Sequence, residues 1–590
     1  MEYNRRTFLG TGALGVTALG RTLAESSPPK TATIEPSSRK RSTIEVPAYQ
    51  IIYNWDGAPH NMSGFPQSIE QFLEKTYAPM KDTQVGAHFW CIGEHEAKWP
   101  SKTMEMAGDS QSRVYDSVRI MQHNEGVRAM FERQENPYQA LVKRGHELGM
   151  HVYASIRMND NHFGGLQVED MAKANLDGLT PLRKEHPEWC LGSQQTPRWF
   201  ATSWNFSIPE VREHRLQHIT EVCGLADWDG IELDWQRHGF HLPSNDAYRL
   251  RYTLTDLQRA VRRLTNRLGR ERGNPLYLAV RVATTLQACH NVGYDLPTWV
   301  KEELCDIMIA GGGAGTDYGV EVESFVNLLK GSRIRFYPGF DNLFDSGNSA
   351  RENGGFWGPH EGLTPKKEWH QALVRATAKG YWDRGADGMY VFNWYANENS
   401  RQDLLTTIGS SQTLDQTDKV YAALHRYIGG FPFSEYKVNS NDPSNEAAWV
   451  GADSNDRLYG ETPVTLYPTL TEEGPYFHIG IYDESVREAR TGNLKSAELH
   501  VELKHYSDAD RVEVKLDGKL LKNSQIRNVA AEDPNWPSDV AENSWFVWSL
   551  TPDQAAHGMH LVKVRLLKRD PRVRPPLVVQ SVEVHISYQG

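Results

Sequence analysis

From about residue 48 the chain alternates short apolar runs with longer stretches in which apolar residues recur at helical spacing. Eight of the short runs read as strands: Tyr49–Asn54, Val85–Cys91, His151–Arg157, Gly230–Trp235, Tyr277–Ala283, Asp306–Ala310, Ile334–Gly339 and Gly388–Trp394. Each is a brief block rich in Val, Ile, Tyr or Phe, the pattern of a strand covered by helices. Leu148-Gly149, Asp229-Gly230 and Asp387-Gly388 place turn signals just before the third, fourth and eighth runs. Pro137–Leu148, Ala247–Leu268 and Lys366–Trp382 carry the helical period between them. Alternating β and α segments predict a parallel sheet. Eight units over about 380 residues predict a closed (β/α)8 TIM barrel. An open doubly wound sheet is the alternative, but no glycine-rich nucleotide fingerprint follows the first strand. The run Gly311-Gly312-Gly313-Ala314-Gly315 follows the sixth instead and reads as a loop of close backbone approach.

Three long insertions, residues 92–136, 159–207 and 340–363, follow strands and so belong to the face of a barrel where side chains converge on a pocket. Near residue 455 the rhythm shifts to short alternating runs: Val464–Tyr467, Tyr476–Tyr482, Ala497–Leu503, Arg511–Leu516, Ser544–Ser549, His560–Leu567 and Val578–Tyr588. Lys515-Leu516-Asp517-Gly518-Lys519-Leu520 has the form of a hairpin with an Asp-Gly turn. These runs predict a small C-terminal antiparallel β-sandwich. It could bind glycan or simply cap the barrel, and the want of a decisive aromatic platform favours the structural role.

The N-terminus does not read as fold. Asn4-Arg5-Arg6-Thr7-Phe8-Leu9-Gly10 precedes a weakly apolar run from Thr11 to Gly20 and looks like a twin-arginine export signal. That run is too short to span a bilayer, and no later stretch is long and apolar enough to do so. The expected organisation is a signal peptide over 1–24, a linker over 25–46, the barrel over 47–430, a linker over 431–454 and the sandwich over 455–590. The export machinery is then a partner, and the periplasm or the exterior is the destination. Five cysteines, Cys91, Cys190, Cys223, Cys289 and Cys305, match no metal motif. Few or no disulfides would fit a chain that folds in the reducing cytosol before export.

Charge adds an exclusion. With 64 basic and 75 acidic residues the net charge is −11, which argues against nucleic acid as a partner.

Candidate chemistry follows from where strands end. Glu232 and Asp234 lie two apart on the fourth strand and share a face, while Ile231 and Leu233 face the helices. Buried carboxylates need partners. Arg157 and Arg281, on the flanking strands, are the expected partners of the deeper Glu232. Asp234, nearer the mouth, is the expected reactive acid. Further carboxylates follow other strands: Asp341 ranks first as a second catalytic group, then Asp317, then Glu94 and Glu398, with Asp160 further back. A binding rim is expected from Trp55, Asp56, His95, Arg157, Asn159, Trp235, Arg237, His238, Arg281, Tyr337, Asn393, Trp394 and Tyr395, with Trp90 and His162 nearby. Several aromatic rings around one mouth suit stacking against sugar faces.

The segments Asp229-Gly230-Ile231-Glu232-Leu233-Asp234-Trp235 and Arg384-Gly385-Ala386-Asp387-Gly388-Met389-Tyr390-Val391-Phe392-Asn393-Trp394 resemble bacterial glycosyl hydrolase-like barrel proteins. Those share a fourth strand of the form Asp-Gly-Ile-x-x-Asp and an eighth entered through Gly-Ala-Asp-Gly. Gly293–Val300 has the same flavour. The resemblance spans about residues 48–430. It implies cleavage of glycosidic bonds by two carboxyl groups, one protonating the leaving oxygen and one serving as nucleophile or base. The chain departs from the chitinase-like pattern at Gln236, where an acid would stand two residues after Asp234.

Metal-dependent barrels fit poorly. The first strand ends Asn54-Trp55-Asp56 without paired histidines, and the fifth offers Arg281 and Thr284 rather than acidic ligands. Neither metal nor cofactor is implied. Two other readings remain open: a barrel that binds glycan without cleaving it, and a polysaccharide lyase built on Tyr, His and Arg.

Overall fold

The computed structural model describes residues 45–55, 65–93, 96–115, 117–161, 163, 165–176, 178–194, 196, 200–311, 319–341, 366–394, 399–423, 462, 464–469, 474–529 and 543–589. The expected signal and most of both expected linkers lie outside these residues.

All eight expected barrel strands form: β1 (Ile51–Trp55), β2 (Val85–Gly93), β3 (His151–Arg157), β4 (Gly230–Asp234), β5 (Tyr277–Val282), β6 (Ile307–Ala310), β7 (Arg335–Asp341) and β8 (Met389–Phe392). They close in sequence order into a parallel barrel, β8 pairing back to β1. Helices Ile69–Tyr77, Pro137–Glu147, Pro209–Cys223, Ala247–Arg272, Val322–Leu329 and Lys366–Asp383 are among those joining the strands. The helix over Ala247–Arg272 runs 26 residues and stops at Gly273, whose positive φ of 78° ends the helical path without a side-chain clash.

Strand alternation builds two cores. Ile231, Leu233, Val280, Val282 and Val391 face outward into the large layer between sheet and helices. Ile52, Phe89, Tyr153, Ala279, Ile309, Tyr337, Tyr390 and Phe392 face inward and fill the barrel. Its lower end is shut by aromatics. The Tyr49 hydroxyl meets His151 Nδ1 at 2.6 Å and the Tyr153 hydroxyl at 3.0 Å, and the Tyr49 backbone N–H donates to the Tyr337 hydroxyl at 2.9 Å.

The C-terminal region forms two antiparallel sheets. One runs β10 (Val464–Leu466), β18 (Leu577–Tyr588), β12 (Leu494–Lys504), β16 (Asn543–Ser549) and β15 (Gln525–Val529). The other runs β11 (Tyr476–Ile481), β17 (Gly558–Lys568), β13 (Arg511–Leu516) and β14 (Lys519–Leu520). Apolar residues of both sheets, including Leu499, Val501, Val582, Val564 and Phe477, meet in one core. Asp517 and Gly518 take positive φ angles of 49° and 77° and connect β13 to β14 as the Asp-Gly hairpin required.

Strand β9 (Lys419–Ala422) was not anticipated. It lies on the barrel side of the expected limit at residue 430, yet it pairs antiparallel with β18 of the C-terminal sheet. Tyr421 and Ala423 share a core with Ala376 of the helix Lys366–Asp383. Trp369 of that helix donates its indole N–H to Glu583 of β18 at 3.2 Å. The C-terminal sheets are thus fastened to the helix that links β7 to β8. No helix of the described residues is long and apolar enough to cross a membrane.

Closure of the barrel leaves no room beside the turn into β8. A β-carbon on Gly388 would lie 2.2 Å from the Tyr49 carbonyl oxygen and 2.6 Å from the Tyr337 ring. The backbone oxygen cannot step aside without moving β1. Gly388→Ala should therefore lower stability by about 1–3 kcal/mol, read as a fall in melting temperature. An unchanged melting temperature would show that this seam is loose.

Candidate active site

The parallel register fixes which side chains share a level inside the barrel. Asp234 on β4 is paired with Arg157 on β3 and with Arg281 on β5. Glu232, one inward position lower, is level with Ser155 and Ala279. This corrects the expected partnership: the arginines stand beside Asp234, and the ion pair runs from Arg281 Nη1 to Asp234 Oδ2 at 3.1 Å. Asp234 Oδ1 also accepts the backbone N–H groups of Gln236 at 3.0 Å and Arg237 at 3.1 Å, where the chain turns out of β4. Three donors around one buried carboxyl suit the anion.

Glu232 has a different environment. One of its oxygens accepts from Asn54 Nδ2 at 2.8 Å and from the Ser155 hydroxyl. Complete burial raises its pKa above the usual carboxylate range, and the neighbouring Asp234 charge raises it further, while Ser155, Arg281 and Tyr390 act in the opposite sense. Two carboxyl groups on one strand face are thus held unlike one another, Glu232 by neutral donors under a burial that raises its pKa and Asp234 by Arg281 and two backbone amides.

Above them a second ion pair forms. Arg157 Nη1 lies 2.6 Å from Asp160 Oδ2, and His238 Nδ1 lies 2.6 Å from Asp160 Oδ1, with Arg157 and Asp160 both buried. Burial pulls the Arg157 pKa down, Asp160 opposes that, and nearby Arg237 adds to it. Three guanidinium groups surround the inward-facing ring of Phe392 at the end of β8. Their central carbons lie 4.1 Å (Arg281), 5.6 Å (Arg237) and 5.7 Å (Arg157) from its centroid, within cation–π range.

Several expected rim residues do other work. Trp55, Trp90, Trp235 and Trp394 all belong to the layer between strands and helices. Trp235 packs among Phe206, His241, Tyr294 and Trp299 and donates to Gln258 Oε1 at 3.3 Å. Tyr337 is the third residue of β7 and closes the lower end of the barrel, opposite the mouth. The Asn159 amide is occupied: it binds the backbone N–H and carbonyl of Trp204 at 2.8 and 2.9 Å and the Phe240 carbonyl at 2.7 Å. It therefore pins the 159–207 insertion to the loop after β4. Asn393 follows β8 with a positive φ of 50°, and its buried side-chain oxygen has no hydrogen-bond partner among the described residues.

Arg157, Arg237, His238 and Arg281 do gather with Glu232 and Asp234. Asp56, Glu94, His95, His162, Asp317, Tyr395 and Glu398 lie outside the described residues, as does the Gly312–Gly315 part of the loop after β6. Asp341 ends β7 in register with Phe392; its side chain lies outside what is described. Sequence reasoning placed Asn54 at the strand end without a role and missed Ser155 and Phe392 as members of the centre, although each sits at an inward position on its strand.

No protein-family model matches the chain, and no curated protein matches it. Similar solved structures include a cycloisomaltooligosaccharide glucanotransferase of Paenibacillus sp., at 10% identity over 90% of this chain with a TM-score of 0.30. This chain spans 57% of the length of that protein. The PgaB (BpsB) glycoside hydrolase domain of Bordetella bronchiseptica is similar at 12% identity over 61% of this chain and 98% of its own, with a TM-score of 0.36. A chitinase of Chromobacterium violaceum is similar at 11% identity over 61% of this chain and 98% of its own, with a TM-score of 0.29. The barrel itself rests on its strand pairing.

The raised pKa of Glu232 has a signed consequence. Between the unfolded carboxyl value of 4.5 and its higher folded value, the folded chain holds a proton that the unfolded chain has released. Stability from this group is present at acidic pH and is lost as pH rises through that interval. Glu232→Gln keeps the Asn54 and Ser155 contacts within reach and removes the titration. Denaturant midpoints measured from pH 4.5 upward should fall more steeply for the natural protein than for the variant. Parallel curves would show that Glu232 does not carry its proton into the fold.

Proposed function

We propose that the protein is an exported glycoside hydrolase, with Asp234 as the reactive carboxylate at the floor of the barrel mouth. The observation that carries this is the unlike treatment of two carboxyl groups on one strand, Asp234 bound by Arg281 and two backbone amides and Glu232 buried against the neutral donors Asn54 and Ser155, where burial raises its pKa. Such a division supports acid–base chemistry at a position where barrel strands end. Glycosidic cleavage needs a second carboxyl group across the bond. Asp341 is the proposed second group, because β7 brings it level with Phe392, the ring around which the arginines gather. Glu232 lies one level below Asp234 and acts through it as a positioning residue. The twin-arginine pattern at Arg5-Arg6 supports export to the periplasm or beyond.

A second reading is favoured by one specific feature. Gln236 stands where chitinase-like barrels carry an acid, and its buried side-chain oxygen has no hydrogen-bond partner among the described residues. That suits a barrel that holds glycan without cleaving it.

One experiment separates the two. The purified protein is screened against a polysaccharide panel for new reducing ends, alongside Asp234→Asn and Asp341→Asn. Loss of a catalytic carboxyl should reduce turnover by about 10²–10⁴-fold with the fold retained by circular dichroism. Natural-level turnover in Asp234→Asn would sink the assignment. Glycan binding without turnover by the natural protein would select the second reading, and ultraviolet-absorbing products would indicate a lyase instead.

A further inference from the structure

One guanidinium at the mouth has no ion-pair partner among the described residues. Arg157 is paired with Asp160, and Arg281 with Asp234. The third guanidinium of the cluster, Arg237, makes no ion pair or side-chain hydrogen bond among the described residues, and its Nε is buried without a partner. Only 8% of Arg237 is exposed. Its guanidinium lies 5.6 Å from the centroid of the inward-facing Phe392 ring, and it stands on the turn whose backbone also binds Asp234.

A cation buried to this extent requires an anion or retained water, since burial of an unpaired charge is costly. Glu232 does not supply that anion. Its nearest contacts are Asn54 and Ser155, and burial favours its protonated form. Among the described side chains, Arg237 is therefore the guanidinium of the three that has no carboxylate partner. A guanidinium held over an aromatic ring keeps its planar fork free for two parallel hydrogen bonds to a carboxylate or sulfate group.

We infer that the subsite beside Asp234 takes a sugar residue bearing a carboxylate or sulfate group, anchored by Arg237. This rests on the reading that the mouth is a glycan site, whether or not the glycan is cleaved. The anionic substituent supplies the partner that Arg237 lacks among the described residues. The remaining glycan then lies toward Asp234, where Arg237 and the carboxylate are linked through one turn of backbone.

Calorimetric titration of the full chain tests this with three probes: an oligogalacturonate carrying carboxylates, a carrageenan oligosaccharide carrying sulfate esters, and a neutral cello-oligosaccharide. At least one anionic probe should bind about 10- to 100-fold more tightly than the neutral one, with affinity falling as salt rises. Arg237→Gln should remove that advantage and leave the melting temperature unlowered, because no ion pair among the described residues is lost. Arg237→Lys should restore only part of it, since an ammonium lacks the planar fork. Which anionic probe binds distinguishes carboxylate from sulfate. The inference fails if the neutral probe binds as tightly as both anionic probes, if none binds, or if Arg237→Gln leaves the anionic affinity unchanged. Tight anionic binding without turnover would sustain the inference and overturn the hydrolase. Turnover of a neutral glycan, untouched by Arg237→Gln, would do the reverse.

Discussion

The ion pair between Asp234 and Arg281, set level with Arg157 by the register of three parallel strands, is the constraint around which the upper barrel is arranged. All three side chains are buried, and a buried charge without a partner is strongly destabilising. Once Arg281 is committed to Asp234, Arg157 must find its anion elsewhere, and it does so at Asp160, just past the end of its own strand. Asp160 in turn holds His238, on the loop after β4. The pairs therefore fix the strand ends and the loops that leave them, so the shape of the mouth follows from electrostatics laid down one level below it.

The sequence made the barrel legible because each strand is a compact apolar block and each intervening segment carries a helical period. The assignment of side chains to faces was less complete, for reasons that differ by residue. Trp235 shares its parity with Ile231 and Leu233, so its outward direction was already implied by their apolar character. Trp394 shares its parity with the inward Tyr390 and Phe392, but the left-handed backbone at Asn393 breaks the alternation and it joins the outer layer. Tyr337 was misplaced in depth rather than in face, because β7 extends to Asp341 and puts Tyr337 near its beginning. Strand β9 escaped notice because four residues, Lys419–Ala422, offer almost no pattern without the partner β18. Strand β15, with the sequence Gln-Ile-Arg-Asn-Val, is an exposed edge strand whose polar character hides it.

The misjudged partnership at β4 has a physical source. Adjacent positions on one strand are evident from sequence, whereas the level of one strand against its neighbour depends on where each enters the sheet. Glu232 and Asp234 were correctly placed on one face, but the arginines could be set beside either until the register was known. The register also explains why Glu232 is met by neutral donors: its level contains Ser155 and Ala279, with Asn54 reaching across from β1. A carboxyl surrounded by neutral groups and buried under a charged neighbour favours its proton. Register alone therefore sorts two chemically similar side chains into different protonation environments.

Fastening the C-terminal sheets to the helix between β7 and β8 bears on the same centre. Phe392 ends β8, and three guanidinium groups depend on the position of its ring. The helix Lys366–Asp383 that delivers the chain into β8 is gripped on its far side by β9 and by the contact from Trp369 to Glu583. A shift of that helix would move β8 against β7 and β1, and with it the aromatic surface on which Arg157, Arg237 and Arg281 converge. The sheets thus support the site from behind, through packing, without contributing a side chain to the charged centre among the described residues. This accounts for a C-terminal region that is joined to the barrel through buried contacts.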